Sequence, residues 1–144
     1  MQLQKAIPYV ATGEIKHIFR VLDDLRMGYI EEGDTNCLIT GESGSGKSAA
    51  VTQYASKYPR QELEEYTHIP VLYVKLTSPG TAKAFVQQIL VAIGDPQGGK
   101  WMRSKEDGFS QIKSYCRDCR VEMIILDEMQ TVIQNRSAGV IASI

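Results

Sequence analysis

Residues 41–48 read Gly-Glu-Ser-Gly-Ser-Gly-Lys-Ser and fit the pattern G-x-x-x-x-G-K-[ST]. The glycines let the backbone turn so that its N–H groups point inward and form a concave site for an anion. A helix predicted to begin at Lys47 adds the positive end of its dipole. The stretch therefore predicts a loop that holds phosphates, in preference to an ordinary turn rich in glycine and serine.

Two side chains of this loop carry specific chemistry. The Lys47 ammonium is expected to contact the terminal phosphates of a nucleotide, which makes Lys47 a candidate catalytic residue. The Ser48 hydroxyl is expected to hold Mg²⁺, which also takes phosphate oxygens. The predicted nucleotide-binding residues are the loop and the first turn of its helix: Gly41, Glu42, Ser43, Gly44, Ser45, Gly46, Lys47, Ser48 and Ala49.

A second motif follows later in the chain, where residues 123–128 read Met-Ile-Ile-Leu-Asp-Glu. The four apolar residues predict a buried strand, and the two carboxylates stand where its carboxyl end emerges. Ligand sites of open parallel sheets lie at those ends. We expect Asp127 to bind the magnesium shell and Glu128 to polarise the attacking water. The alternative is a strand followed by a solvated turn.

Hydrophobic periodicity places these motifs in an alternation of strands and helices. The continuously apolar strands predict an α/β fold with a parallel sheet and helices on both faces. The expected elements are an amphipathic helix from Thr12 to Gly33 and Asp34, a buried strand at 36–40 with Cys37 in the core, a helix at 47–58, a surface loop at 60–68, a strand within 69–76, a helix from Thr81 to Gly94, a loop at 97–105, a helix at 106–117, a strand at 121–126 covered on both faces, and a helix from Met129.

Composition excludes several classes of protein. The chain has 144 residues, 43% of them hydrophobic, and a formal net charge of −1, which argues against a strongly basic protein that coats nucleic acid. No apolar run approaches the roughly 18–20 residues of a membrane helix, so no membrane contact is expected. With three cysteines and no signal-peptide pattern, the chain is expected in the reducing cytoplasm.

From about Ile7 onward the chain resembles the AAA+ family of ATPases. Residues 38–48, the helix ending Lys57-Tyr58-Pro59, and residues 122–130 look like the TniB/TnsC transposition regulators. The resemblance implies a P-loop NTPase fold of three layers, ATP and Mg²⁺ as cofactors, and ATP-dependent self-association on double-stranded DNA. It further implies target-site selection together with a transposase and a target-selection adaptor.

The resemblance also marks a departure, because the sequence stops at Ile144. The family continues with further strands, a sensor residue, an arginine finger and a helical lid. We therefore expect an N-terminal segment at 1–34 and a partial AAA+ core at 35–144 that is truncated, poorly soluble or oligomeric, and slow in hydrolysis. Two alternatives stay open: a nucleotide-binding module without turnover, and an AAA+ ATPase unrelated to transposons, such as a helicase loader or a secretion ATPase.

The sequence contains three weaker signals besides these motifs. Residues 100–105 place Lys100, Arg103 and Lys105 around Trp101, which is typical either of a loop on a DNA backbone or of a solvated loop anchored by its aromatic side chain. The Cys-x-x-Cys at 116–119 is interpreted as structural, because it follows a helix instead of preceding one. In the ATPases that the chain resembles, the segment before the core passes the adenine, so residues 7–9 are expected to be either a surface for adenine or simple packing at the sheet edge.

Overall fold

A computed structural model describes residues 13–28, 37–39, 44, 46–77 and 81–130. The chain divides into two compact units, residues 1–54 and 55–144. The Thr12 cap, the patch at 7–9, the end at Gly33 and Asp34, and residues 131–144 lie outside the described part. The elements are α1 (Gly13–Met27), α2 (Lys47–Ser56), β1 (Gln61–Glu62), β2 (Thr67–His68), β3 (Val71–Lys75), α3 (Ala82–Ile93), α4 (Lys105–Asp118) and β4 (Met123–Asp127).

Helix α1 has the predicted amphipathic character but ends earlier than expected. Its polar residues Glu14 and Arg20 are exposed, while Leu22 is buried. The helix stops at Met27 and not near Gly33, because Gly28 follows with φ of +73°, a left-handed conformation that ends an α-helix. A glycine inside an apolar pattern was the available signal, and the prediction overlooked it.

The first unit is held together by Tyr54 of α2, which is 1% exposed. Its ring meets Phe19 of α1 edge to face, with 5.6 Å between centroids. Its hydroxyl donates to Asp23 Oδ1 at 2.9 Å, and Arg26 Nε donates to that hydroxyl at 3.4 Å. The buried hydroxyl is thus satisfied by a charged pair on α1, which sets how α1 and α2 pack.

The buried strand expected at 36–40 is not seen in the residues described there. Cys37–Ile39 has no regular secondary structure, Leu38 is 81% exposed, and Cys37 is exposed instead of lying in the core. An apolar run is buried as a strand only where neighbouring strands pair with it. The two sheets found among the described residues, β1–β2 and β3–β4, do not include it.

The second unit is built on a parallel strand pair, as the alternation of elements predicts. Strands β3 and β4 align in register from Val71 opposite Met123 to Lys75 opposite Asp127. One face of this pair carries Leu72 and Val74, which pack against α3 and α4. The wholly or nearly buried residues of this core include Leu76, Phe85, Val86, Ile89, Leu90, Ile93 and Ile112.

The two helices of this unit begin at the predicted residues, give or take one. The Thr81 hydroxyl accepts from the Ala84 N–H at 3.1 Å, and Gly94 ends α3 in the left-handed conformation with φ of 99°. Ser104 caps α4 in the same way by accepting from the Asp107 N–H at 3.1 Å. These local signals are readable from the sequence because each depends only on nearby residues.

Two other expectations for this unit are wrong. The surface loop at 60–68 contains the antiparallel hairpin β1–β2, which the polar composition of residues 61–68 concealed. Strand β4 is not covered on both faces, since Ile124 is 40% exposed and only Ile125 is buried. In the part of the chain that the structure describes, β4 pairs with β3 alone, so its other edge lacks the neighbour that would cover Ile124. No described helix combines the length and the apolarity needed to cross a membrane.

Candidate functional site

The described part of the phosphate loop has the backbone that its glycines predict. Gly44 and Gly46 have φ of +81° and +88°, a region that other residues rarely adopt. Helix α2 begins at Lys47, and its first helical hydrogen bond runs from the Ala50 N–H to the Gly46 carbonyl at 2.9 Å. Since the first N–H groups of a helix have no helical acceptor, this turn presents donors and a positive dipole end.

Lys47 and Ser48 are half-buried in this first turn, and Ala49 is exposed. Their positions agree with an anion site formed by a loop and the N-terminus of the helix that follows it. Four predicted members of the nucleotide site lie outside the described residues: Gly41, Glu42, Ser43 and Ser45. The structural support for phosphate binding therefore comes from the local geometry of Gly44 and residues 46–49.

The acidic pair lies at the carboxyl end of β4, as expected for a ligand site of a parallel sheet. Asp127 is half-buried and each of its oxygens has a donor. The Tyr73 hydroxyl donates to Oδ2 at 2.7 Å, and the Glu128 backbone N–H donates to Oδ1 at 2.9 Å. The carboxylate is thus oriented by a neighbouring strand and by its own chain.

Glu128 leaves the strand with a φ of +64°, a left-handed conformation for a residue with a side chain. Gln130 Nε2 donates to Glu128 Oε2, so the carboxylate is held by a side chain two residues further along the chain. The short spacing of Glu128 and Gln130 in the sequence is the signal that could have predicted this contact.

The residues present fit Mg²⁺ and a nucleotide. Magnesium prefers hard oxygen ligands, commonly one or two carboxylates together with phosphate oxygens and water. Within the second unit, Asp127 offers an oriented carboxylate. Within the first unit, Ser48 offers a hydroxyl in the first turn of α2. Each is a type of group that takes part in a magnesium shell. No cluster of three His, Cys, Asp or Glu side chains suited to a metal occurs within the described ranges.

The cationic stretch at 100–105 covers the last turns between α3 and α4 and the first residue of α4. Lys100, Arg103 and Lys105 are exposed, and Trp101 is 76% exposed. The expectation that Trp101 anchors this loop is therefore wrong. The neighbouring Met102 is the residue that enters the core, at 5% exposure. Hydropathy alone does not say which of two adjacent large side chains turns inward.

Asp95 organises this connection, a role the sequence analysis missed. Its Oδ2 accepts from the Gly99 N–H at 2.7 Å, and its Oδ1 accepts from the Tyr115 hydroxyl at 3.0 Å. Burial raises the pKa of the Asp95 carboxyl, but the donors at Gly99, Gln97 and Tyr115 outweigh that effect and hold the pKa below its usual value. Asp95 therefore stays ionised and ties the loop to both helices.

The Cys-x-x-Cys has the environment of a structural pair. Cys116 is half-buried near the end of α4, and Cys119 is buried just after it. Burial raises the pKa of both thiols, whereas a reactive cysteine needs a lowered pKa. The geometry agrees with the interpretation of this motif as packing.

Comparison with known proteins supplies one family. A model of the family described as an AAA domain matches residues 30–143, which include the phosphate loop and the acidic pair. A search of curated proteins finds none that matches this chain.

Proposed function

Since this chain belongs to the AAA domain family of P-loop ATPases, we propose that it binds ATP with Mg²⁺ and hydrolyses ATP to ADP and phosphate. The single observation that carries the proposal is the loop at 41–48, whose described glycines have positive φ immediately before α2. Lys47 contacts the terminal phosphates, and the loop and helix N–H groups hold the rest of the phosphate chain.

The acidic pair takes the remaining roles in this proposal. Ser48 and Asp127 contribute to the magnesium shell, and bound Mg²⁺ neutralises charge on the phosphates. Glu128 orients a water and accepts its proton as the water oxygen bonds to the γ-phosphorus and the bond to the ADP oxygen breaks. Support comes from the half-buried carboxylates at the end of β4, one of them held by Tyr73.

Calorimetric titration with ATP and Mg²⁺ tests nucleotide binding. Lys47→Ala removes the charge that meets the terminal phosphates, so we expect the affinity to fall at least about 10-fold, the effect of losing one charged hydrogen bond. Lys113→Ala is the matched control, since Lys113 is an exposed lysine of α4 and its loss should leave the affinity unchanged. Equal ATP affinity in the wild type and Lys47→Ala would contradict the proposal.

We further propose that the chain regulates DNA transposition, through ATP-dependent self-association on double-stranded DNA, with a transposase and a target-selection adaptor as partners. Two features support this: the resemblance at 38–48 and 122–130, and the exposed cations Lys100, Arg103 and Lys105 beside an exposed Trp101. The three free cysteines suit the cytoplasm that this role requires.

Gene order tests the transposition role without an assay. A gene for an integrase-type transposase beside the gene for this chain is the expected result. A neighbourhood of replication or secretion genes would instead favour a helicase loader or a secretion ATPase, the alternatives that share the same nucleotide site. The nucleotide-binding part of the proposal stands or falls separately, on the Lys47 titration.

A further inference from the structure

Tyr73 and Asp127 lie on the same face of the parallel pair. Leu72, Val74 and Leu126 pack against the helical core, so the residues that alternate with them point to the opposite face. In the register, Lys75 is opposite Asp127 and Tyr73 is two residues before Lys75. A long side chain at Tyr73 therefore spans to the carboxyl end of β4, and its hydroxyl donates to Asp127 Oδ2 at 2.7 Å.

This hydrogen bond helps to set the orientation of the Asp127 carboxylate. A carboxylate has about four acceptor positions on its two oxygens. The Tyr73 hydroxyl uses one on Oδ2, and the Glu128 N–H uses one on Oδ1. The two donors fix the plane of the group, and an oriented carboxylate oxygen is the kind of ligand that a divalent cation or a water in its shell takes.

We infer that Tyr73 is a positioning residue for magnesium, acting through Asp127. The inference rests on the proposed function, because Asp127 is assigned there to the magnesium shell. Partners that orient a ligating carboxylate typically change metal affinity by about 10- to 100-fold when they are removed. Loss of the hydroxyl lets the carboxylate rotate, so that binding the cation must also immobilise it.

The experiment is a titration of ATP onto Tyr73→Phe at Mg²⁺ concentrations from zero to saturation, followed with a fluorescent ATP analogue. We expect the Mg²⁺ concentration for half of the full affinity gain to rise about 10-fold, with nucleotide affinity in the absence of Mg²⁺ unchanged. Tyr115→Phe is the matched control. It removes a comparable hydrogen bond, to Asp95 Oδ1 at 3.0 Å, and should leave the Mg²⁺ dependence at the wild-type value.

A double-variant cycle separates positioning from packing. In an Asp127→Asn background, Tyr73→Phe should cause no further change in Mg²⁺ dependence, because its partner carboxylate is already gone. A normal Mg²⁺ requirement in Tyr73→Phe overturns the inference, and so does an equal loss of nucleotide affinity with and without Mg²⁺.

The proposed function fails in a different way from the inference. If the wild type shows no Mg²⁺-dependent nucleotide binding, or if Lys47→Ala binds as well as the wild type, the assignment of the nucleotide site is wrong and the role of Tyr73 falls with it. If both of those results are as expected and only Tyr73→Phe behaves like the wild type, Tyr73 alone is misassigned.

Discussion

Glu128 and Arg120 are the two residues other than glycine with positive φ in the described part of the chain, at +64° and +50°. Such a conformation costs a residue with a Cβ roughly 1–2 kcal/mol. Arg120 stacks over the Tyr66 ring at 4.0 Å and donates to its hydroxyl at 2.9 Å, contacts that compensate its strain. Glu128 stands beside Asp127 at the end of β4, with its N–H bonded to Asp127 Oδ1, and backbone strain of this kind concentrates at functional sites.

Glu128→Gln is the residue-scale prediction, because the amide keeps the shape of the side chain and loses its ability to accept a proton. We expect ATP binding to be retained and phosphate release to fall by roughly 100-fold to 10,000-fold, the usual contribution of a general base. Phosphate release and ATP affinity are measured in parallel, with Glu64→Gln in the exposed hairpin turn as the control.

Two results would change the assignment of Glu128. Phosphate release at the wild-type rate in Glu128→Gln would show that another group orients the water. A wild-type chain that binds ATP but releases no phosphate would favour the alternative of a nucleotide-binding module without turnover.

At the scale of elements, the connection between α3 and α4 is a rigid support for exposed cations. Asp95 bonds to the Gly99 N–H and to the Tyr115 hydroxyl, and Met102 is buried against the core. Arg103 is tied through its backbone, whose N–H donates to Asp107 Oδ2 at 2.9 Å, while its side chain is exposed. Because these contacts already order the loop, its contact with a nucleic acid backbone costs less conformational entropy.

Arg103→Ala tests this loop in DNA binding. With ATP present, we expect weaker binding to duplex DNA and a slope of log affinity against log salt that is smaller by about one unit, because one phosphate contact is lost. Arg117→Ala, which removes an exposed arginine near the end of α4, should leave the slope at the wild-type value. An unchanged affinity and slope in Arg103→Ala would exclude the loop from DNA binding.

At the scale of the whole molecule, Gly108 shows how tertiary packing reverses a local preference. Glycine within a helix normally costs about 0.5–1 kcal/mol relative to alanine, so helix propensity by itself favours alanine at position 108. In the fold, a Cβ at Gly108 would lie 2.4 Å from Val86 Cγ1 and 2.6 Å from Met102 Sδ. The absent side chain is what lets α4 pack closely on α3 and the loop.

We therefore expect Gly108→Ala to lower the free energy of unfolding by about 1–3 kcal/mol, the usual cost of overpacking. Denaturant unfolding measures it. Gly13→Ala is the control, since a Cβ at the start of α1 meets nothing within 4 Å and should cause no loss. A Gly108→Ala protein at least as stable as the wild type would contradict the packing seen here.

Features that depend on neighbours in the chain were predictable. The glycine backbone before α2, the Thr81 cap, the Gly94 stop and the carboxylate at the end of β4 all rest on local backbone chemistry, and the described residues follow these predictions. The helix stop at Gly28 was an equally local signal, but the apolar pattern that continues to Tyr29 obscured it. The hairpin within 60–68 was missed because its strands are short, consist of polar residues and are not buried.

The sequence by itself determined an α/β chain with a glycine-rich loop before a helix and two carboxylates where a strand ends, since each motif is a short run of residues. Only the tertiary structure decided that Leu38 is exposed, that Met102 and not Trp101 enters the core, and that Tyr73 holds Asp127. The physical reason is that burial and cross-strand hydrogen bonds require partners distant in the chain. Tyr73 and Asp127 are 54 residues apart, and the register of β3 against β4 is what brings them within 2.7 Å.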